Sequence, residues 1–355
     1  MENRIYLKNY IFSFNKLCNY LNTLILSTHS NTRLKHECVI GYSTFNYPIN
    51  AYKIGHGNNH VIIIGATHGC ELVSVYFIID FILSLILDDT LYEDICDKYT
   101  FHFIPVLNPE GYIICSSNVL ANTCNLSDIL FENLCKQYLE KYNFDDNISK
   151  ENIKRAKLFP YVLNSSLNFI PNTLMQKNVE KILNNCNLAT NFLAVFSANA
   201  NGVDINSNSI HRFRDIYKLR MKQKFACLRY NDIPVTKPSP MSFPGHNTFK
   251  DCPENLALYN YIINKYNYNN GNIDKLIAIF SYHSTGGEIF GFPDKNYSTS
   301  HQIAIHNSAM NIYANTTKYT LIDEKIKYGV MDFYRIALQN VVTLTIELSK
   351  FNANP

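Results

Sequence analysis

Residues 60–71, HVIIIGATHGCE, are the stretch that decides the fold. Their first part, HVIIIGA (60–66), is short, apolar and rich in β-branched residues, which is typical of a buried central strand. An almost continuous apolar segment, LVSVYFIIDFILSLIL (72–87), follows it. That segment is shorter than the roughly 20 residues that a membrane span needs, and charged residues flank it closely. We therefore predict a helix buried against a sheet, with membrane association as the weaker alternative.

Strand and helix patterns alternate along the rest of the chain. Strand-like segments lie at 37–54 (a hairpin), 99–107, 275–283 and 341–348. Helix-like segments lie at 12–28, 128–142, 150–158, 176–185, 254–266 and 301–316. The stretch Asn108-Pro109-Glu110-Gly111 predicts a turn. This alternation indicates an α/β fold with a mostly parallel sheet, and we expect a single domain over 1–355 with a long helical insertion at about 113–200.

Composition excludes several classes of function. The formal net charge is only +3, and no basic stripe with interleaved aromatic residues is present, so we expect no nucleic-acid partner. The ten cysteines occur singly, without a CxxC pair, which argues against a cysteine zinc site and against a disulfide framework. The first residues, MENRIYLKNYIFSF, do not read as a secretory signal peptide. Both observations favour a cytoplasmic location.

Candidate metal ligands lie at the ends of two predicted strands. His68 and Glu71 are three residues apart in HGCE, so both side chains can face one side of the turn. His283 ends the strand IAIFSYH, and open α/β sheets place their ligands at such strand ends. Two histidines and a carboxylate leave one zinc position open, which is the arrangement of a catalytic site. HxxE alone is a weak pattern, because a capping histidine beside an exposed glutamate produces it too.

Six segments in register resemble the carboxypeptidase A-like family of zinc metallopeptidases. The segments are IGYSTFNYPINAYKIGHG (40–57), IIIGATHGCE (62–71), IPVLNPEGY (104–112), ANGVDIN (200–206), SYHSTGGEIF (281–290) and LTIEL (344–348). The resemblance implies a three-layer α/β/α fold with a mixed, mostly parallel sheet. It also implies one Zn²⁺ per chain, held by His68, Glu71 and His283, in a site of the His₂Glu type that carboxypeptidase A exemplifies.

The resemblance assigns further roles by position. Glu347 corresponds to the general base that takes a proton from the attacking water and passes it to the leaving amine. Glu288 in TGGEIF is the alternative base, although a polar loop residue is the simpler interpretation. Asp204 corresponds to a carboxylate that orients the first zinc histidine, as metal-bound imidazole requires. Asn206 corresponds to a contact for the substrate carboxylate.

Departures from the family pattern bear on the substrate. Ser207 stands where the family has an arginine that grips a C-terminal carboxylate, so Ser207 is predicted to contact the substrate with its hydroxyl instead. The arginine that polarises the scissile carbonyl is also missing from its usual place after NPEGY. Arg212 is the first candidate to replace it. Other candidates are Arg214 and Arg155, and Tyr328 lies near the position of the family's mobile tyrosine.

The sequence therefore predicts a zinc peptidase but does not determine its particular substrate. The segments ANANGVDIN (198–206) and YHSTGGEIF (282–290) resemble the bacterial branch of the family that hydrolyses γ-D-glutamyl-diamino acid bonds in peptidoglycan stem peptides. The expected partner is therefore a peptide or muropeptide. An ordinary metallocarboxypeptidase is the first alternative. A zinc-retaining but inactive peptide-binding module is the second, because the arginine that polarises the carbonyl is not assigned. The oligomeric state is not readable from the sequence.

Overall fold

An eight-stranded mixed sheet forms the centre of the protein. The computed structural model describes residues 13–27, 33–123, 165–209, 236–269, 273–284, 286–323 and 329–348. The strands are β1 (Lys35–Tyr42), β2 (Pro48–Gly55), β3 (Asn59–Ile64), β4 (Tyr99–Ile104), β5 (Leu276–Ser284), β6 (Glu288–Phe290), β7 (Thr320–Ile322) and β8 (Val342–Leu348). Their order across the sheet is β1-β2-β4-β3-β5-β8-β6-β7. The four strands β4, β3, β5 and β8 run parallel, whereas β1, β2 and β6 join antiparallel.

Helices cover both faces of this sheet. They are α1 (Phe14–Ser27), α2 (Leu72–Leu87), α3 (Asp89–Cys96), α4 (Pro109–Thr123), α5 (Thr173–Asn185), α6 (Pro253–Lys265), α7 (Ser300–Thr317) and α8 (Val330–Ala337). Side chains alternate along β3, so Val61 and Ile63 enter one hydrophobic core with α1, α2 and α4. Ile62 and Ile64 enter a second core with α6 and α8. These two cores on opposite sides of one sheet confirm the predicted α/β fold.

Helix α2 spans the apolar segment that follows the decisive strand. Its buried side chains, among them Val75, Ile78 and Ile82, repeat at the helical period and pack in the first core. The segment is therefore a helix that lies against the sheet, as predicted. None of the helices in the described ranges combines the length and apolar character that a membrane crossing requires.

The structure corrects one local prediction and adds elements that the pattern did not indicate. Asn108-Pro109-Glu110-Gly111 is the start of helix α4, because the backbone N–H of Gly111 donates to Oδ1 of Asn108 at 2.8 Å. An Asn N-cap followed by proline at the first helical position is a helix start, and that reading was available from the sequence. Helices α3 and α8 and the short strands β6 and β7 were not predicted.

The predicted insertion is described only in part. Its first residues, 113–123, continue helix α4, and α5 covers the predicted helix at 176–185. The predicted helices at 128–142 and 150–158 lie outside the described residues. The extent of the insertion and the single-domain assignment remain predictions.

Candidate metal centre

The turn that carries His68 and Glu71 is built by close backbone contacts at the end of β3. A side chain at Gly69 would place its Cβ 2.1 Å from the backbone of Gly111, so this turn needs glycine in order to approach α4. Asn108 fastens the same turn by donating to the carbonyl oxygens of Thr67, Ser197 and Ala198 at 3.1–3.3 Å. The HGCE turn is thus held from both sides by backbone and amide contacts.

Glu71 occupies the N-cap position of α2 without capping the helix. Its side chain makes no hydrogen bond to the first turn of the helix, although an N-cap residue normally does. The Glu71 carboxylate instead faces His68, with Oε1 at 2.8 Å from Nδ1. A local rule of helix capping is broken here in favour of a contact with an imidazole, as often happens at functional sites.

Three potential ligands meet at this turn. His283 lies near the end of β5, 1% exposed, and its Nδ1 lies 3.0 Å from Oε2 of Glu71 and 3.3 Å from Nδ1 of His68. All the ligand atoms of His68, Glu71 and His283 lie within 4.8 Å of one another. We call this group the metal centre. The structure thus brings together the three residues that the sequence assigned to zinc.

Each imidazole is oriented through its second ring nitrogen. Nε2 of His68 lies 3.3 Å from Oδ1 of Asp204, and Nε2 of His283 lies 3.1 Å from the hydroxyl of Ser281. Such outer contacts fix the ring orientation and leave the Nδ1 atoms facing each other. Asp204 is where the sequence predicted a partner for His68. Ser281 was missed, although strand alternation puts it on the same face as His283, two residues later.

The charges in the metal centre support one another. Burial by itself would lower the pKa of His68, but Glu71 and Asp204 together hold that pKa well above its usual value. Burial would raise the pKa of Glu71, and the two imidazoles lower it instead.

The residues of the metal centre fit a zinc ion. Two imidazole nitrogens and a carboxylate converge, which matches the ligands of catalytic zinc sites with an open fourth position. Both carboxylate oxygens of Glu71 are directed at imidazole nitrogens, Oε1 at Nδ1 of His68 (2.8 Å) and Oε2 at Nδ1 of His283 (3.0 Å). A buried carboxylate is costly unless it is paired, and a cation bound among these three groups would pair it.

Glu347 lies beside the metal centre on the neighbouring strand. In the parallel pair of β5 and β8, Glu347 is the direct partner of His283, so the two side chains share one face of the sheet. On the other side of β8, Glu288 of β6 is the antiparallel partner of Glu347. Glu347 is partly buried, next to the strand that carries a metal ligand. That position suits a general base acting on water at the metal centre.

The loop that carries Asp204 is fixed by its amide side chains. Oδ1 of Asn199 accepts from the backbone N–H groups of Asn201 and Val203, and its Nδ2 donates to Oε2 of Glu254 at 3.2 Å. Asn255 donates to the carbonyl oxygens of Ile205 and Asn208. Asp204 is therefore held from both ends of its loop.

Ser207 and Asn206 both make contacts that hold the Asp204 loop, and their predicted contacts with substrate stay predictions. Ser207 is 2% exposed, and its hydroxyl donates to Oδ2 of Asp204 at 2.6 Å, so it faces the partner of His68. Oδ1 of Asn206 accepts from the backbone N–H of Val330 at 3.2 Å, which ties this loop to the start of α8. The physical reason is burial, since a buried hydroxyl takes the acceptor within reach. Both residues support the loop, and Asn206 is partly exposed.

Four residues with predicted or alternative roles lie outside the described residues. They are Arg155, Arg212, Arg214 and Tyr328. The two arginines that are described have structural partners. Arg33 bonds Asp89 and two backbone carbonyls, and Arg335 pairs with Asp332 one turn earlier in α8. No arginine from the described ranges is seen to serve the metal centre.

Comparisons with known proteins agree with this geometry. The family model described as zinc carboxypeptidase matches residues 20–351. The chain therefore belongs to the zinc carboxypeptidase family, a class of zinc metallopeptidases. The comparison with curated proteins finds no match.

Solved structures show the same fold at low sequence identity. Carboxypeptidase A from Helicoverpa armigera superposes with a TM-score of 0.55 at 15% identity, over 97% of this chain and 66% of its own. Thrombin activatable fibrinolysis inhibitor gives a TM-score of 0.54 at 15% identity, over 97% and 67%. A metallo-carboxypeptidase from Burkholderia cenocepacia gives 0.52 at 12% identity, over 97% and 62%. The chain thus spans about two thirds of the length of these proteins.

Proposed function

We propose that this protein is a zinc-dependent peptidase that hydrolyses γ-D-glutamyl-diamino acid bonds in peptidoglycan stem peptides. The observation that carries the substrate choice is the position of Ser207. A carboxypeptidase holds the terminal carboxylate of its substrate with a cation, since a fork of two N–H donors sets register and affinity. Position 207 presents a buried hydroxyl that is already bound to Asp204. An ordinary C-terminal peptide therefore lacks the cationic contact with its terminal carboxylate. Other polar groups of the substrate then have to position it.

The residues of the chain divide the chemistry among them. His68, Glu71 and His283 would hold the zinc ion, while Asp204 and Ser281 keep the two imidazoles in position. Zinc in such a site acts as a Lewis acid on a carbonyl and lowers the pKa of water. Glu347 accepts a proton from the attacking water and delivers it to the leaving amine, at the strand next to His283. The products are a free γ-carboxylate and a free amine.

The carbonyl oxygen of the scissile bond needs a positively charged partner, and we assign this role to Arg212. The sequence motivates that choice, since Arg212 follows the Asp204 loop closely. A positioned cation at a developing oxyanion is worth several kcal/mol, on the order of 10²–10³ in rate. Arg212→Ala should therefore lower kcat sharply, and Arg155→Ala should leave it unchanged. Unchanged kinetics in the Arg212 variant would favour the inactive binding module.

Ordinary carboxypeptidase activity is the second candidate, because the family model and two of the three superposed structures carry that name. We also propose that the protein acts in the cytoplasm. All seven cysteines in the described ranges are free thiols, which supports a reducing compartment.

A paired substrate screen tests the proposed function. Zinc-loaded protein is offered γ-D-glutamyl-lysine and γ-D-glutamyl-diaminopimelate peptides alongside α-linked peptides that end in Phe, Leu or Arg. We expect release of the diamino acid portion from the first group and little release of C-terminal residues from the second. The reverse pattern identifies an ordinary carboxypeptidase. Zinc binding without turnover of either group identifies a binding module.

A further inference from the structure

Glu288 stands in line with the metal centre and the general base. Registers across β5, β8 and β6 pair His283 with Glu347 and Glu347 with Glu288. Directly paired residues in a sheet project to the same face, so these side chains form a row over three strands. Neighbouring strands lie about 4.8 Å apart, which places Glu288 roughly 10 Å from His283. A substrate that reaches the zinc ligands can extend to Glu288.

The two glycines before Glu288 shape the space around its carboxylate. Gly287 has φ +64°, a left-handed conformation that favours glycine, and this turns the chain into β6. A Cβ added to Gly286 would lie 2.9 Å from Oε2 of Glu288, so the carboxylate lies back over Gly286. Gly286 follows His283 by three residues. The Glu288 carboxylate thus lies over Gly286, in the connection between β5 and β6.

Two carboxylates lie at the same strand ends, because Glu288 is the direct partner of Glu347. Focused negative charge in a site attracts and orients positive groups of a ligand. The two glutamates differ in position. Only Glu347 lies on a strand directly paired with β5, which carries the metal ligand His283.

We propose that Glu288 is a specificity residue that binds a positively charged amino group of the substrate, near the scissile bond. This inference rests on the proposed function for its substrate class, because a diamino acid carries such a group at the end of its side chain. A flexible aliphatic stem of the lysine type bridges the distance between the two strands. The reaction itself is unchanged, and Glu288 takes no part in the proton transfer.

The experiment compares two substrate pairs that differ only at this amino group. One pair is a γ-D-glutamyl-lysine peptide and its Nε-acetyl form. The other is an α-linked peptide ending in lysine and its Nε-acetyl form. We expect wild-type protein to prefer the free amine by about tenfold in kcat/KM, mainly through KM, within whichever pair it hydrolyses. Glu288→Gln should abolish the preference by lowering kcat/KM for the free amine alone.

Control variants separate recognition from folding. Glu288→Asp keeps the charge and should keep the preference, and Glu93→Gln removes an exposed charge on α3 and should change nothing. Zinc content is measured for each variant, and binding of both pairs by calorimetry covers a protein without turnover. Equal turnover and equal binding of free and acetylated amines by wild-type protein would overturn the inference. So would an equal loss for both forms in Glu288→Gln. Cleavage of only the α-linked pair would refute the stem-peptide function while still testing Glu288.

Discussion

At the carboxyl end of β3, the imidazole nitrogens and the carboxylate of the metal centre converge on one point. At the amino end of β3, residues of the same types form a linear series of hydrogen bonds. We call the second group the amino-end network. Its members are Glu37, His60, His102, Tyr261, Lys265 and Tyr266. Both groups combine two histidines with a glutamate, and His102 is as buried as His283. Burial and residue type alone therefore do not distinguish them.

The contacts of the amino-end network run from one residue to the next. Oε2 of Glu37 lies 2.7 Å from Nδ1 of His102, and it also accepts from the hydroxyl of Tyr261. Nε2 of His102 lies 3.0 Å from Nδ1 of His60. Lys265 pairs with the other oxygen of Glu37. Each of these acceptors meets at least one donor, and the group of possible metal ligands found among the described residues is the metal centre and not this network.

The pKa of His68 in the metal centre shifts in the opposite direction from the pKa values of the two network histidines. In the metal centre, the pKa of His68 is held well above its usual value because two carboxylates outweigh burial. In the amino-end network, burial and nearby positive groups lower the pKa of His60 to about 4, and burial lowers that of His102 despite Glu37. What separates a metal site from a structural network is therefore the convergence of acceptors around one point.

The largest expected difference concerns zinc itself. His68→Ala or His283→Ala should remove the bound metal and all activity, because each deletes one of three ligands from the site. His102→Ala, in the amino-end network, should keep about one zinc per chain. Metal content by plasma mass spectrometry after dialysis checks this. Full zinc occupancy in both ligand variants would mean that the metal binds elsewhere.

A second contrast concerns catalysis without loss of metal. Glu347→Gln keeps the shape of the side chain but cannot accept a proton, so kcat should fall by ~10²-fold or more while zinc stays bound. Glu37→Gln is the matched change in the amino-end network and should leave kcat within about twofold. Steady-state rates on the best substrate of the screen measure both. A fully active Glu347 variant would transfer the role of base to another residue.

We expect changes in the amino-end network to lower the stability of the fold, whereas changes in the metal centre lower activity. Burial opposes the charge of Glu37, but His102, Lys265 and Tyr261 lower its pKa to about 2. A lowered pKa contributes stability above the ordinary value of 4.5, and that contribution is lost as the pH falls toward 2. Glu37→Gln should therefore cost about 1–3 kcal/mol of unfolding free energy at pH 7 and less near pH 3.

Urea unfolding at several pH values measures this loss. Glu93→Gln is the control, since Glu93 is an exposed acid on α3. A loss that is the same at pH 3 and pH 7 would show that the charge of Glu37 is not what stabilises the network.

The smallest expected effect concerns the contact of Ser207 with Asp204. Ser207→Ala removes a donor that fixes the partner of His68, and we expect zinc affinity to fall by about tenfold. Ser207→Thr should restore most of it. Ser209→Ala is the control, because the Ser209 hydroxyl is also buried but has no hydrogen-bond partner among the described residues. Competition with a chromogenic chelator measures the affinities, and equal affinities would leave Ser207 without a role at the metal.

Much of the fold was readable from local pattern. The strand at 60–66 and the helix at 72–87 appear as β3 and α2, because hydrophobic period and turn residues are local properties. Short strands such as β6 and β7 were missed, since three residues carry too little pattern to stand out from a loop. At the start of α4 the sequence predicts a turn, because Asn and Pro are common both in turns and at the first residues of helices.

The sequence by itself determined the candidates for the metal centre and the general base, because strand ends and motif spacing are written in the chain. Only the tertiary structure decided which atoms face each other. It turned Ser207 toward Asp204, supplied Ser281 to His283, and set Glu288 beside Glu347. These contacts join residues far apart in the chain or choose between two faces of a loop. Packing and the pairing of buried polar groups make that choice, and no local pattern encodes it.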